Sequence, residues 1–270
     1  MAKESIFNWV EQRKLRGYYL FGYEEVKNAF ASKSEQYVST SLTRLIAQKR
    51  IINPAKGFYV IIPTEYALTG IVPATFYING MMNHLKRDYY VALLSAASFY
   101  GAAHQRPQSF YVINNQTTIR SGERAGVNFL FIRIKNIYDN YIIPHKGKLG
   151  DINVSSPELT AIDLVAYQGK IGGLNRVSTV LSELVDNLNF SKVDREFFKI
   201  HKLPVYQRLG YILEDVLEEY EIAETLYKKM LEYGFTKLRG IPFKIGKPTS
   251  GCMQNTKWKV IVNQEIAIDE

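Results

Sequence analysis

The stretch SEQYVSTSLTRLIAQKRIINPAKGFYVI, residues 34–61, passes from a helical period to a strand period without a break. Val38, Leu42, Leu45 and Ile46 recur at the i, i+4, i+7, i+8 spacing of one helix stripe, and Ser34 stands where an N-cap belongs. The opposite face carries Lys33, Gln36, Thr40, Thr43 and Arg44, with Tyr37 at its border. Two β-branched runs then flank Pro54-Ala55-Lys56-Gly57, which predicts a hairpin with Lys56 at its tip.

Upstream, SIFNWVEQRKLRG has helical spacing and ends at Gly17, YYLF at 18–21 suits a short strand, and GYEEVKNAF places acids in a first helical turn. Helix, strand, helix, helix and hairpin within residues 1–66 is the layout of a winged helix-turn-helix domain. In such a domain one helix enters the major groove while the preceding helix and the hairpin hold phosphates. The expected DNA-binding residues are Lys33, Gln36, Tyr37, Thr40, Thr43, Arg44, Arg50 and Lys56. Arg44, Gln36 and Thr40 are the expected base readers; Lys33, Tyr37, Arg50 and Lys56 face phosphates. If the protein pairs on DNA as a homodimer, its operator carries inverted half-sites spaced by whole helical turns.

Residues 67–270 read as a larger α+β domain, so the fold class is α+β with an N-terminal winged helix-turn-helix. The segments INGMMNHLKR and YYVALLSAASFYGAA predict helices, and residues 109–155 are strand-rich, with strands at 109–114, 116–121, 127–135, 141–144 and 151–155. The first half of VNFLFIRIK has the continuous apolar character of a strand buried on both faces. Residues 157–233 are helical, starting at Pro157 behind Ser155 and Ser156, and a closing strand is expected over 257–263.

Charge is distributed unevenly. Residues 1–66 hold 10 Lys and Arg against 6 Asp and Glu, residues 67–155 hold 9 against 4, and residues 156–270 hold 15 against 16. The whole excess of +8 therefore precedes residue 156, which points to a polyanionic partner for the first part of the chain. Arg106, Arg120, Arg124, Arg133 and Lys135, interleaved with aromatics, form a second expected nucleic-acid or partner surface. The single Cys252 cannot form an internal disulfide or build a thiolate metal site alone, which fits the reducing cytoplasm. No apolar run reaches the length of a membrane span, and the N-terminus lacks a secretory pattern.

Catalytic chemistry has little to stand on. The corner His104-Gln105-Arg106 has no acid nearer in sequence than Asp88 and Glu123, so it reads as a structural corner. His84, His145 and His201 make no HxxxH or HExxH pair, and no phosphate-binding glycine loop occurs. The expectation is a non-enzymatic protein with no metal and no cofactor.

The segments LTRLIAQKRIINPAKGFYVI, YYVALLSAASFYGAAHQRPQ, SSPELTAIDLV, YQRLGYILE and NTKWKVIVN, in this order, resemble the AbiEi-type antitoxins of bacterial type IV toxin-antitoxin systems. The resemblance implies a winged-helix domain that represses its own operon, and a C-terminal domain that counters a nucleotidyltransferase-type toxin without an assumed stable complex. A competing reading is an interaction or RNA-binding protein that acts on the toxin or its RNA substrate, with an N-terminal domain that does not bind DNA.

Overall fold

The computed structural model describes residues 5–102 and 107–267. Its elements in chain order begin α1 (Ile6–Leu15), β1 (Leu20–Gly22), α2 (Tyr23–Ala29), α3 (Glu35–Ala47), β2 (Ile51–Ala55), β3 (Phe58–Ile61) and α4 (Ala74–His84). The middle holds β4 (Tyr89–Val91), α5 (Leu93–Ala97), β5 (Phe110–Asn114), β6 (Gly122–Arg124), β7 (Val127–Arg133), β8 (Ile142–Gly147) and β9 (Gly150–Ser155). Helices α6 (Pro157–Ala166), α7 (Leu174–Leu184), α8 (Phe197–Ile200), α9 (Leu203–Tyr211) and α10 (Tyr220–Glu232) follow, and the short strands β10 (Ile241–Pro242) and β11 (Val260–Ile261) come last. The architecture is mixed α and β, and no helix among the described residues is long and apolar enough to cross a membrane.

The chain divides into two compact units. Unit 1 is Met1–Tyr89 with Val112–Ile137 and Pro144–Asn153; unit 2 is Tyr90–Tyr111 with Tyr138–Ile143 and Val154–Glu270. Strands β6-β7-β5-β4-β9-β8 form a six-stranded sheet, and the division falls inside β4, β5, β8 and β9.

Unit 1 opens with the helix, strand, helix, helix, hairpin order. Ser5 caps α1 by accepting from the Asn8 amide at 3.2 Å. Strands β1-β3-β2 form an antiparallel sheet in which Leu20 faces Val60 and Ile52 faces Val60 from the other side. Between Ile52 and Ala55 the register slips, and the Asn53 side-chain amide fills the gap by donating to the carbonyls of Ala55 and Phe58 at 2.8 and 2.7 Å. Gly57 closes the hairpin at φ 71°, in the left-handed region that favours glycine.

In unit 2, Ser156 caps α6 by accepting from the Leu159 amide, with Pro157 in the first turn as its sequence predicts. Helix α9 fixes the C-terminal segment to the unit. Gln207 donates to the carbonyls of Arg239 and Trp258, and the buried Arg208 guanidinium donates to those of Pro204, Pro242 and Phe243. Burial pulls the Arg208 pKa down, and its compensation is a set of carbonyl dipoles. Gly210 lies directly beneath the Trp258 ring, where a β-carbon would overlap it. Asp194 heads the turn into α8, accepting from the Tyr141 hydroxyl at 2.7 Å and from the amides of Glu196 and Phe197.

Several expectations are corrected. The helix expected across YYVALLSAASFYGAA is a strand followed by a short helix: Tyr89, Tyr90 and Val91 are buried in β4, Val91 pairs parallel with Val154, and Ala92 remains extended. A short apolar run of this kind has the same hydropathy in a central strand as in a buried helix. Residues 116–121 form no strand; the pairing partner of β7 is β6, in which Glu123 faces Asn128. The first half of β7 is not buried on both faces, because Asn128 is exposed beside the buried Phe129. Segment VDREFFKI yields only the one-turn α8, and of residues 257–263 only Val260 and Ile261 lie in a paired strand.

Gly210→Ala is expected to lower stability by about 2 kcal/mol, the scale of core overpacking, as read from a chemical denaturation midpoint. Asp194 should add a pH dependence. The Tyr141 hydroxyl, followed by the two backbone amides, holds its carboxyl below the usual value of 3.8. Its stabilisation is therefore complete above that pH and is lost as pH falls through the depressed folded value. The stability gap between wild type and Asp194→Asn should be widest near neutrality and should close below pH 3.8.

Candidate nucleic-acid interface

Helix α3 starts at Ser34, whose hydroxyl accepts from the Tyr37 amide at 3.2 Å. Lys27 reaches Glu35 in the first turn at 2.7 Å; that hydrogen bond raises the lysine pKa and lowers the glutamate pKa. Val38, Leu42 and Leu45 are buried against Ile6, Val10, Phe21, Val26, Phe30, Ile51 and Ile61. Ile46, expected on the same stripe, is instead 40% exposed: Leu45 takes the core position, and the next residue turns about 100° away from it.

Lys33, just before α3, is exposed, and on the outer side of the helix Gln36, Tyr37, Thr43 and Arg44 are exposed and Thr40 is half-buried. The Thr43 hydroxyl donates back to the Ser39 carbonyl at 3.0 Å, which occupies its proton. Lys33 sits 5.8 Å from the Tyr37 ring centroid. Arg50 is exposed but leans on its own unit, 3.9 Å from Glu11 and over the Phe7 ring. Lys56 is exposed at the hairpin tip.

Of the second expected surface, Arg106 lies outside the described residues, as do His104 and Gln105. Arg120, Arg133 and Lys135 are exposed in unit 1. Two of the arginines also do structural duty: Arg124 donates to the carbonyls of Pro54 at 3.2 Å and Arg120 at 2.8 Å, and Arg133 donates to the Gln116 carbonyl. By the bounds of the two units, unit 1 holds 18 Lys and Arg against 9 Asp and Glu, and unit 2 holds 16 against 17. The net charges are +9 and −1, so the excess collects in the unit that contains α3 and the hairpin.

Sequence reasoning missed a buried polar group in unit 2. The Asp163 carboxylate accepts from the Tyr90 hydroxyl at 3.0 Å and from His201 Nε2 at 2.7 Å. Burial, reinforced by the Asp163 charge, pushes the Tyr90 hydroxyl well above its usual range. Tyr206 accepts from the His201 amide and donates to the Phe197 carbonyl. The three side chains stand 73 and 38 residues apart in the chain, and nothing in their local sequence links them. Among the described residues, no group of three or more His, Cys, Asp or Glu is placed to hold a metal.

This buried group and α9 lie within residues 90–215. Residues 90–215 match the family model of the AbiEi antitoxin C-terminal domain. The match is of the kind that the sequence resemblance implies. Among solved structures, the crystal structure of the RV2827C protein from Mycobacterium tuberculosis is similar in fold, with a TM-score of 0.67 at 12% identity over 93% of this chain and 89% of that one. An antigenic nucleotidyltransferase-like protein from Paracoccidioides brasiliensis aligns at a TM-score of 0.36 and 11% identity, over 58% of this chain and 91% of that one. No curated protein matches the chain.

Asp163→Ala strips the acceptor from the buried Tyr90 hydroxyl and the half-buried His201 ring and should cost about 3 kcal/mol of unfolding free energy, measured by urea denaturation.

Proposed function

We propose that the chain is a cytoplasmic, DNA-binding transcriptional repressor with antitoxin activity. Its N-terminal helices and hairpin act as a winged helix-turn-helix. Helix α3 enters the major groove, where Arg44, Gln36 and Thr40 read bases, while Lys33, Tyr37, Arg50 and Lys56 hold the backbone. Arg120, Arg133 and Lys135 extend the same cationic unit toward flanking phosphates. The protein binds inverted half-sites as a homodimer, represses its own operon and opposes a nucleotidyltransferase-type toxin of a type IV system.

One observation carries the reading: α3 buries only its apolar stripe and keeps its polar residues outward, within a unit of net charge +9. A duplex needs that combination, since phosphates supply salt-dependent affinity and an uncovered polar helix face supplies discrimination. The antitoxin part rests on the family match over residues 90–215.

The test is fluorescence anisotropy of the full chain with a labelled duplex from upstream of its own gene, at several salt concentrations and against random duplex. Specific binding should tighten as salt falls. Arg44→Ala should cost about 1–3 kcal/mol on the specific duplex with little change on random DNA, and Lys56→Ala should weaken both and flatten the salt slope by about one. Equal losses on both duplexes for Arg44→Ala would reject its role as a reader. Tighter binding of single-stranded RNA than of any duplex would favour the RNA reading.

A further inference from the structure

The hairpin that carries Lys56 is held from outside itself. The Gly57 carbonyl accepts from the Tyr23 amide at the start of α2 at 2.8 Å. His84, the last residue of α4, brings its Nε2 to 3.1 Å from the Lys56 carbonyl. A carbonyl can only accept, so the ring carries its proton on Nε2 in this contact. Arg124 of β6 donates to the Pro54 carbonyl at 3.2 Å. The carbonyls of Ala55 and Phe58 are taken by Asn53. Every carbonyl from Pro54 to Phe58 thus meets a donor, and two of those donors come from residues well beyond the hairpin in sequence.

His84 is seated against the tip. Its ring packs 5.4 Å from that of Phe58 and lies over Gly57, where an added β-carbon would stand 3.7 Å from Nε2. Lys56 therefore rises from a backbone whose inward side is bound at three elements, while its own side chain remains exposed. A cation on a pre-set tip gives up less conformational freedom on meeting a phosphate than one on a loose loop.

We propose that His84, with Arg124 in support, is a positioning residue of the DNA interface: it fixes the hairpin tip so that Lys56 meets the phosphate backbone preorganised. This inference rests on the DNA-binding reading above and adds to it residues that no part of the 1–66 segment contains.

The experiment uses the full chain and the same labelled duplex. His84→Ala should weaken binding roughly three- to ten-fold, the scale of one lost hydrogen bond, while the thermal midpoint of the protein moves little. His84→Gln, whose amide can donate to the same carbonyl, should recover most of that loss. In the Lys56→Ala background, His84→Ala should have little further effect, because both changes remove one contact. Wild-type binding with full additivity of the two substitutions, or with equal affinities for wild type and His84→Ala, overturns the positioning role and leaves the DNA-binding reading standing. Absence of any salt-sensitive duplex binding by the wild-type chain overturns both.

Discussion

Val38, Leu42 and Leu45 commit one side of α3 to the core formed by α1, α2 and the hairpin strands, and this single act of burial determines where the polar residues go. With 3.6 residues per turn, a stripe fixed inward sends Gln36, Thr43 and Arg44 outward. The apolar stripe also sets the hairpin beside the helix, since Ile51 and Ile61 belong to the same cluster. Hydrophobic packing sets the outer face of the helix here; the polar groups follow.

Unit 2 is organised by a different device. Gln207 and Arg208 spend their donors on carbonyls of the C-terminal segment, and Gly210 yields its side-chain space to Trp258. The YQRLG run that contributes to the family resemblance is therefore explained by architecture: an amide, a guanidinium and an absent β-carbon hold a short parallel pair, β10 and β11, against α9. The Asp163 group is of the same type, a buried carboxylate whose two donors arrive from distant parts of the chain. Nothing in either arrangement resembles a nucleophile set beside its base.

Legibility followed the range of the forces involved. Element types in residues 5–61 could be read because a helical stripe, a serine cap and a Pro-Ala-Lys-Gly turn are local signals. The strand β4 was hidden because Tyr89, Tyr90 and Val91 sit inside a longer apolar run, and only their pairing with neighbouring strands separates them from a helix. The same limit applies to the candidate interface. Exposure of Arg44 and Lys56 was readable from periodicity and turn position, whereas the role of Arg124 toward Pro54 and of His84 toward Lys56 depends on contacts across 70 and 28 residues. Ile46 shows the residual error of pattern reading: at the edge of a stripe, one step around the helix decides between core and solvent.

The interleaving of the two units has a consequence for how this gene can be cut. The chain crosses from one unit to the other between residues 89 and 90, 111 and 112, 137 and 138, 143 and 144, and 153 and 154. Four of those crossings fall within hydrogen-bonded strands, where severing the backbone also removes ladder bonds. Neither unit corresponds to a continuous span of codons, so no single breakpoint can transplant one of them intact into another protein, and reshuffling by simple fusion is closed to this architecture.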